Sequence, residues 1–260
     1  MNFISTGESN MELNSESSCS YSCCVGMDML NGYGFMKPYG YQSLIMDVAE
    51  RHLRQFGLGV DDLIKKGMSW VLVSSSVEIL EPVRAEIALN ARTWHSEQNR
   101  LTFRRELCFT DTSGRPVFNA ATFSVLMDIN ERKIIRPDRA DIEIGEANSE
   151  FLIEASPNLR SKCEMQTCDR RRIYPCCIDR LGHTNNCRYP EFAYDALTEN
   201  EISRLGGLRR MDVYFKNELK QGDSFTVRRS APEVLSGELF IDGINDESGK
   251  QSFICRMLFA

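Results

Sequence analysis

From Tyr39 to Phe56, Leu44, Ile45, Val48, Ala49, His52, Leu53 and Phe56 recur at the spacing of one helix face, and Gly57 stops the pattern. From Ser69 onward the spacing changes to strand-like runs, at 70–80, 85–94, 101–110 and 117–129, with Asp111-Thr112-Ser113-Gly114 as a turn between the last two. The second half repeats this order. Helical character follows Asn186 as far as Leu205, Gly206-Gly207 punctuates it, and strands read at 211–219, 224–229, 235–244 and 251–259. Asp246-Glu247-Ser248-Gly249 takes the turn position. A long helix followed by antiparallel strands, twice over, constrains the chain to an α+β architecture built from one duplicated unit.

Three markers align the copies: Asp28-Met29-Leu30 with Asp179-Arg180-Leu181, Glu81 with Glu218, and Asp111 with Asp246. From glutamate to turn the separations are 30 and 28 residues, and from first aspartate to glutamate 53 and 39, so the first copy has the longer helical section. The polar stretch 138–161 reads as a linker, which predicts a first domain at 1–137 and a second at 162–260. A helix wrapped by an antiparallel sheet buries one sheet face, and two such units can pair edge to edge so that the monomer resembles a built-in dimer.

With 260 residues, 42% hydrophobic and 26% charged, the chain is long enough for two ordinary domains with cores of their own. The net charge of −6 lies wholly in the first part: residues 1–150 hold 15 Lys/Arg against 21 Asp/Glu, and residues 151–260 hold 16 of each. This argues against nucleic acid as a partner. The segment from Met1 to Glu16 has no basic stretch followed by an apolar run, and nothing approaches the length of a membrane span, so a cytoplasmic protein is expected. Ten cysteines then read as thiols. No Cys-x-x-Cys pair occurs, and no metal or other cofactor is predicted.

Histidine occurs three times. His52 lies on the apolar helix stripe and reads as a packed, hydrogen-bonded residue. His95 follows Trp94 in a predicted hairpin turn and reads as a surface residue. His183 is set differently: Asp179 sits four positions earlier where a strand should end, Gly182 lets the backbone come close, and Asn185 and Asn186 suit a helix start. An acid, a histidine and helix-start amides thus fall in one turn. Cys187, about one helical turn beyond, offers a rival Cys–His nucleophilic pair. Pro190 disfavours helical geometry at Tyr189, so the regular helix is expected to begin near Pro190.

Asp-x-x-Gly-His-x-Asn-Asn-x-x-Tyr, here Asp179 to Tyr189, resembles the signature of hot-dog thioesterases. Gly57-Leu58-Gly59, Trp70-Val71-Leu72, Thr93-Trp94 and the strand pair ending at Arg132 resemble the bacterial and plant acyl-ACP thioesterases, and the likeness covers most of residues 20–260. It implies a tandem double hot-dog fold, with the acyl chain bound by a first half that lacks the chemistry. It also implies functional roles for Asp179 and His183, with a second carboxylate at Glu218 on the strand after the helix. Two departures stand out. The plant enzymes carry asparagine where this chain has Leu181, which removes a side-chain oxyanion donor, and cysteine where it has Leu219, which excludes covalent catalysis there.

A thioester leaves as a thiolate whose acid has a pKa of roughly 8.5, so the site needs an oriented water and oxyanion stabilisation more than a general acid. Asp179 and Glu218 are expected to position and deprotonate water, with His183 hydrogen-bonded to substrate or to one carboxylate and backbone amides near Gly182 and His183 facing the oxyanion. The implied activity is hydrolysis of acyl-ACP to free fatty acid, with acyl carrier protein as partner. An acyl-CoA thioesterase and a non-catalytic acyl-binding protein are the alternatives. Arg170, Arg171, Arg172, Arg180, Arg188, Arg209 and Arg210 are candidate contacts for the acidic carrier, and a homodimer is allowed for.

Overall fold

The structure is a computed structural model that describes residues 18–99, 101–140, 142–144, 147–159, 163–234 and 236–260, the Ser18 side chain excepted. The parts of the sequence expectations that fall on residues 1–17, Asp141, Gly145, Glu146, Arg160, Ser161, Lys162 and Leu235 lie outside the described residues. The strands form one antiparallel sheet of 11, in the order β1-β3-β4-β5-β2-β8-β11-β10-β9-β7, with β6 paired to β5. In the first half these are β1 (Ser18–Cys24), β2 (Met68–Ile79), β3 (Ala88–Gln98), β4 (Phe103–Asp111), β5 (Pro116–Asp128) and β6 (Lys133–Ile135). In the second they are β7 (Gln166–Arg172), β8 (Leu208–Phe215), β9 (Ser224–Arg229), β10 (Gly237–Asn245) and β11 (Gln251–Phe259). Read from its middle outward, the order is the same in both directions. The two halves meet at β2 and β8, where Ser76 pairs with Asp212.

Helix α1 (Pro38–Gln55) starts on a proline, whose fixed φ suits a first turn, and ends before Gly57 at φ 65°. It buries Leu44, Ile45 and Val48, and α2 (Val60–Lys65) follows it. The second half differs from the helix expected there. It holds two short helices, α3 (Arg188–Tyr194) and α4 (Glu199–Ser203), because a capping box at Thr198 and Glu201 starts a new helix after the break. Pro190 is the third residue of α3, where a missing N–H costs no helical bond, so α3 begins two residues before the proline rather than at it.

A single apolar core runs through the β2–β8 junction, holding Val77 and Ile79 together with Met211 and Val213. The described residues between Ala140 and Met165 form neither helix nor strand, yet they are strapped to the sheet. Asn148 N donates to His95 O (2.9 Å), Trp94 Nε1 to Glu150 O (3.0 Å), Leu152 N to Glu106 Oε2 (3.2 Å), and Arg210 Nη2 to Glu154 O (2.5 Å).

The two halves share backbone hydrogen bonds, but in a register that differs from that of the three markers. Asn31 N donates to Phe35 O and Gly34 N to Asn31 O, and Asp179, Gly182 and His183 repeat both bonds. Met36 N donates to Val83 O as Thr184 N does to Leu219 O. Asp179 therefore matches Asn31, His183 matches Phe35 and Glu218 matches Pro82, while Asp111 matches Asn245 as the residue whose side chain closes the turn. Single shared letters are too weak to fix a register that backbone hydrogen bonds fix unambiguously.

Candidate active site

The turn from Ile178 to Thr184 is closed by an isolated bridge between those two residues. Asp179 Oδ1 accepts from Leu181 N (2.8 Å) and weakly from His183 N (3.4 Å). Gly182 has φ 80°, the left-handed region where glycine is favoured. A Cβ there would meet nothing within 4 Å, so the residue serves backbone conformation and not the close approach expected. Its amide donates to Asp179 O (3.0 Å), so it is committed to the turn and is not directed at a substrate.

Glu218 lies beyond the end of β8, not on the strand as expected. The ladder stops at Phe215, and the amides of Lys216 and Asn217 both go to Ser252 O. This bend carries Glu218 to the turn, where its Oε2 stands 3.6 Å from His183 Nε2, too long for a hydrogen bond and short enough for a small rotation to make one. Both side chains are about one-third exposed. Behind them Tyr189 OH accepts from Leu219 N (3.4 Å), and burial, with the Glu218 charge adding to it, pushes its phenol up to about 12.

Sequence reasoning missed Arg132 as a functional residue. Its Nη2 donates to Glu218 Oε2 at 2.7 Å from the turn between β5 and β6, and it is the one non-glycine residue at positive φ (53°) among the described residues. Arg180 reaches the first half in the same way, its Nη2 lying 2.5 Å from Asp61 Oδ1 of α2. The other arginines named from sequence are largely committed: Arg170 to Asp246, Arg171 to Asp169 and Asp195, Arg188 to Glu191, and Arg210 to Asp212.

Two cavities meet at this turn. One, of about 400 Å³, lies between α1 and the first half of the sheet, and the other, of about 520 Å³, contains His183, Glu218 and Arg132. Trp70, Leu72, Asp179, Arg180, Leu181 and Asn186 line both. Asn185 faces only the first, and its Oδ1 is held by Cys187 N at 2.9 Å. Cys187 lines neither cavity, and burial pushes its thiol up to about 12, so the Cys–His pair does not form. His95, expected at the surface, is buried in β3, whereas His52 is packed and hydrogen-bonded as expected, its Nδ1 accepting from Arg105 Nη1 at 2.8 Å.

The matching turn of the first half is filled. Phe35, in the place of His183, packs so closely on Gly206 that a Cβ there would lie 2.4 Å from its ring. Asn31 donates to Ile202 O and Tyr33 to Glu199.

Residues 33–140 match the family model described as the acyl-ACP thioesterase N-terminal domain. Over those residues the chain resembles the N-terminal domain of acyl-ACP thioesterases, and the protein is a thioester hydrolase. The acyl-ACP thioesterase of Bacteroides thetaiotaomicron shares the fold at a TM-score of 0.77 and 18% identity, over 94% of this chain and 98% of its own. The 12:0-ACP thioesterase of Umbellularia californica shares it at 0.71 and 12% identity, over 94% and 98% respectively. No curated protein matches the chain. Among the described residues no helix is long and apolar enough to cross a membrane.

Proposed function

We propose that the protein hydrolyses acyl-ACP thioesters to free fatty acid and holo-ACP, and so ends fatty-acid elongation. The observation that carries this reading is the meeting of two cavities at the Asp179 turn. The cavity under α1 takes the acyl chain, the one at His183 and Glu218 takes the thioester and the carrier's arm, and the scissile carbonyl sits between them. In this reading the chain is a tandem double hot-dog, with units at 1–137 and 162–260 joined by the strap at 138–161. The first unit binds the chain and the second reacts.

His183 and Glu218 form the water-activating pair, their facing atoms 3.6 Å apart so that one water can hydrogen-bond to both. Asp179 fixes the turn through the amides it accepts and borders the acyl cavity at the reacting end. Asn186 lines both cavities and is assigned the oxyanion, since the Gly182 amide is already used. Lys216 borders the His183 cavity outside any ion pair among the described residues and suits an acidic carrier at its mouth.

Thiol release from matched acyl-ACP and acyl-CoA substrates tests this. Wild type should turn over acyl-ACP faster. His183→Ala and Glu218→Gln should each lose on the order of 10²–10⁴-fold, and Asp179→Asn should lose activity through a loosened turn. Wild-type release at the buffer rate would overturn the reading.

A further inference from the structure

The cavity under α1 contains a charge that hydrocarbon does not explain. Five arginines line it, and four are in ion pairs: Arg51 with Asp47, Arg54 with Glu50, Arg104 with Glu106 and Arg180 with Asp61. Arg105 has none among the described residues, although it is only 9% exposed. Its partners are neutral: Nη1 donates to His52 Nδ1 (2.8 Å) and to Thr93 Oγ1 (3.2 Å). The carboxylates that border the cavity are engaged elsewhere, Asp47 and Glu50 with the arginines named and Asp179 with the amides of its own turn. Burial alone brings the Arg105 guanidinium down to about 10.

The sheet pairing sharpens the point. His95, Arg105, Thr122 and Ser75 are cross-strand partners on β3, β4, β5 and β2, so they form one row on one face of the sheet. The row beside it is Thr93, Leu107, Ala120 and Val77, all fully buried and, apart from Thr93, apolar. Ser75 Oγ is buried and makes no hydrogen bond. His95, Arg105 and Thr122 of this row line the cavity beside Trp70, Leu72 and Phe103, so a cation without an ion pair among the described residues faces it. Leaving a buried guanidinium without a counter-ion is costly, and a bound anion would offset that cost.

We propose that this cavity accepts acyl groups whose far end carries a carboxylate, which Arg105 pairs with while Thr122 supplies a hydroxyl. The proposal rests on the reading of this cavity as the acyl site and adds the class of acyl group. Arg105 is thus a specificity-determining residue for an ω-carboxyacyl thioester.

The test separates binding from hydrolysis. Inert N-ethyl amides of ω-carboxy and ω-methyl acids of equal carbon number, over a series of lengths, are titrated calorimetrically into the full chain. At the best-fitting length the ω-carboxy amide should bind about tenfold tighter or better. Arg105→Met should erase the preference, and Arg105→Lys should keep part of it. An ω-methyl amide that binds as well or better at every length overturns the proposal on wild-type protein alone, even if no variant folds. A preference that survives in Arg105→Met overturns the assignment to Arg105. Tight ω-carboxy binding without release of thiol from the matching thioester would instead count against hydrolysis and leave this inference standing.

Discussion

Arg132 of the first half donates to the same Glu218 oxygen that lies 3.6 Å from His183 of the second. Glu218 is thus held by a residue 86 positions away in the chain, on a backbone with φ 53°. Such strain costs of order 1 kcal/mol and is kept where the surrounding structure requires it. Arg132→Ala should lower kcat by about three- to thirtyfold through a misplaced Glu218, with a smaller effect on KM. Arg132→Gly should be as impaired but melt ~2–4 °C higher than Arg132→Ala, because glycine relieves the strain. Equal melting temperatures would show that the backbone there is not strained.

Burial and the neighbouring Arg105 hold the His52 imidazole down at about 3, against 6.5 for a free side chain. A depressed histidine keeps its full stabilising contribution above the unfolded value. It loses that contribution as pH falls from 6.5 toward 3, where the unfolded state takes up a proton the folded state refuses. Stability should fall between pH 6.5 and 5 with a slope approaching about 1.4 kcal/mol per unit from this residue. Chemical denaturation of His52→Gln over that range should give a shallower slope. His95, whose imidazole is also depressed chiefly by burial, should account for part of what remains. An unchanged slope would remove His52 from the account.

Glu106 is fully buried and accepts from Arg104 Nε (2.6 Å), Ser96 Oγ (3.1 Å) and the strap amide of Leu152 (3.2 Å). Glu106→Gln leaves Arg104 without its counter-charge and should cost about 3–5 kcal/mol. The strap should loosen first, so limited proteolysis should cut within residues 142–159 in the variant at protease levels that spare wild type. Cleavage elsewhere would locate the weak point differently.

The Cys187 thiol is held protonated by burial and lies outside both cavities. Cys187→Ala should retain thioester hydrolysis within about twofold while losing about 1 kcal/mol of stability to the small cavity left behind. A loss of turnover comparable with His183→Ala would restore the thiol to the mechanism.

The sequence disclosed the order of elements and most strand limits, because helical and strand periodicities are carried by buried residues such as Leu44, Val77 and Ile241. It did not disclose β1 or β7. Both are edge strands: β7, Gln166–Arg172, is polar with no apolar alternation, whereas β1 does alternate, Cys19, Tyr21 and Cys23 inward against Ser20 and Ser22 outward, on a short serine-rich stretch. Asp179 and His183 share a turn and were legible together. Glu218 was reached through family resemblance, since its closeness to His183 depends on where the β8 ladder ends. Arg132 and Arg105 looked like ordinary strand-end and strand cations, for nothing local reveals that one reaches a carboxylate of the other half or that the other forms no ion pair among the described residues.

Phe35 seated on Gly206 has a consequence for how the molecule counts ligands. A duplicated enzyme with two working copies could show two binding steps and interaction between them. Here the ring occupies the space that a second reactive turn would open onto. One covalent chain should therefore bind one acyl group, its saturation curve should be hyperbolic, and any sigmoidal response would have to arise between chains.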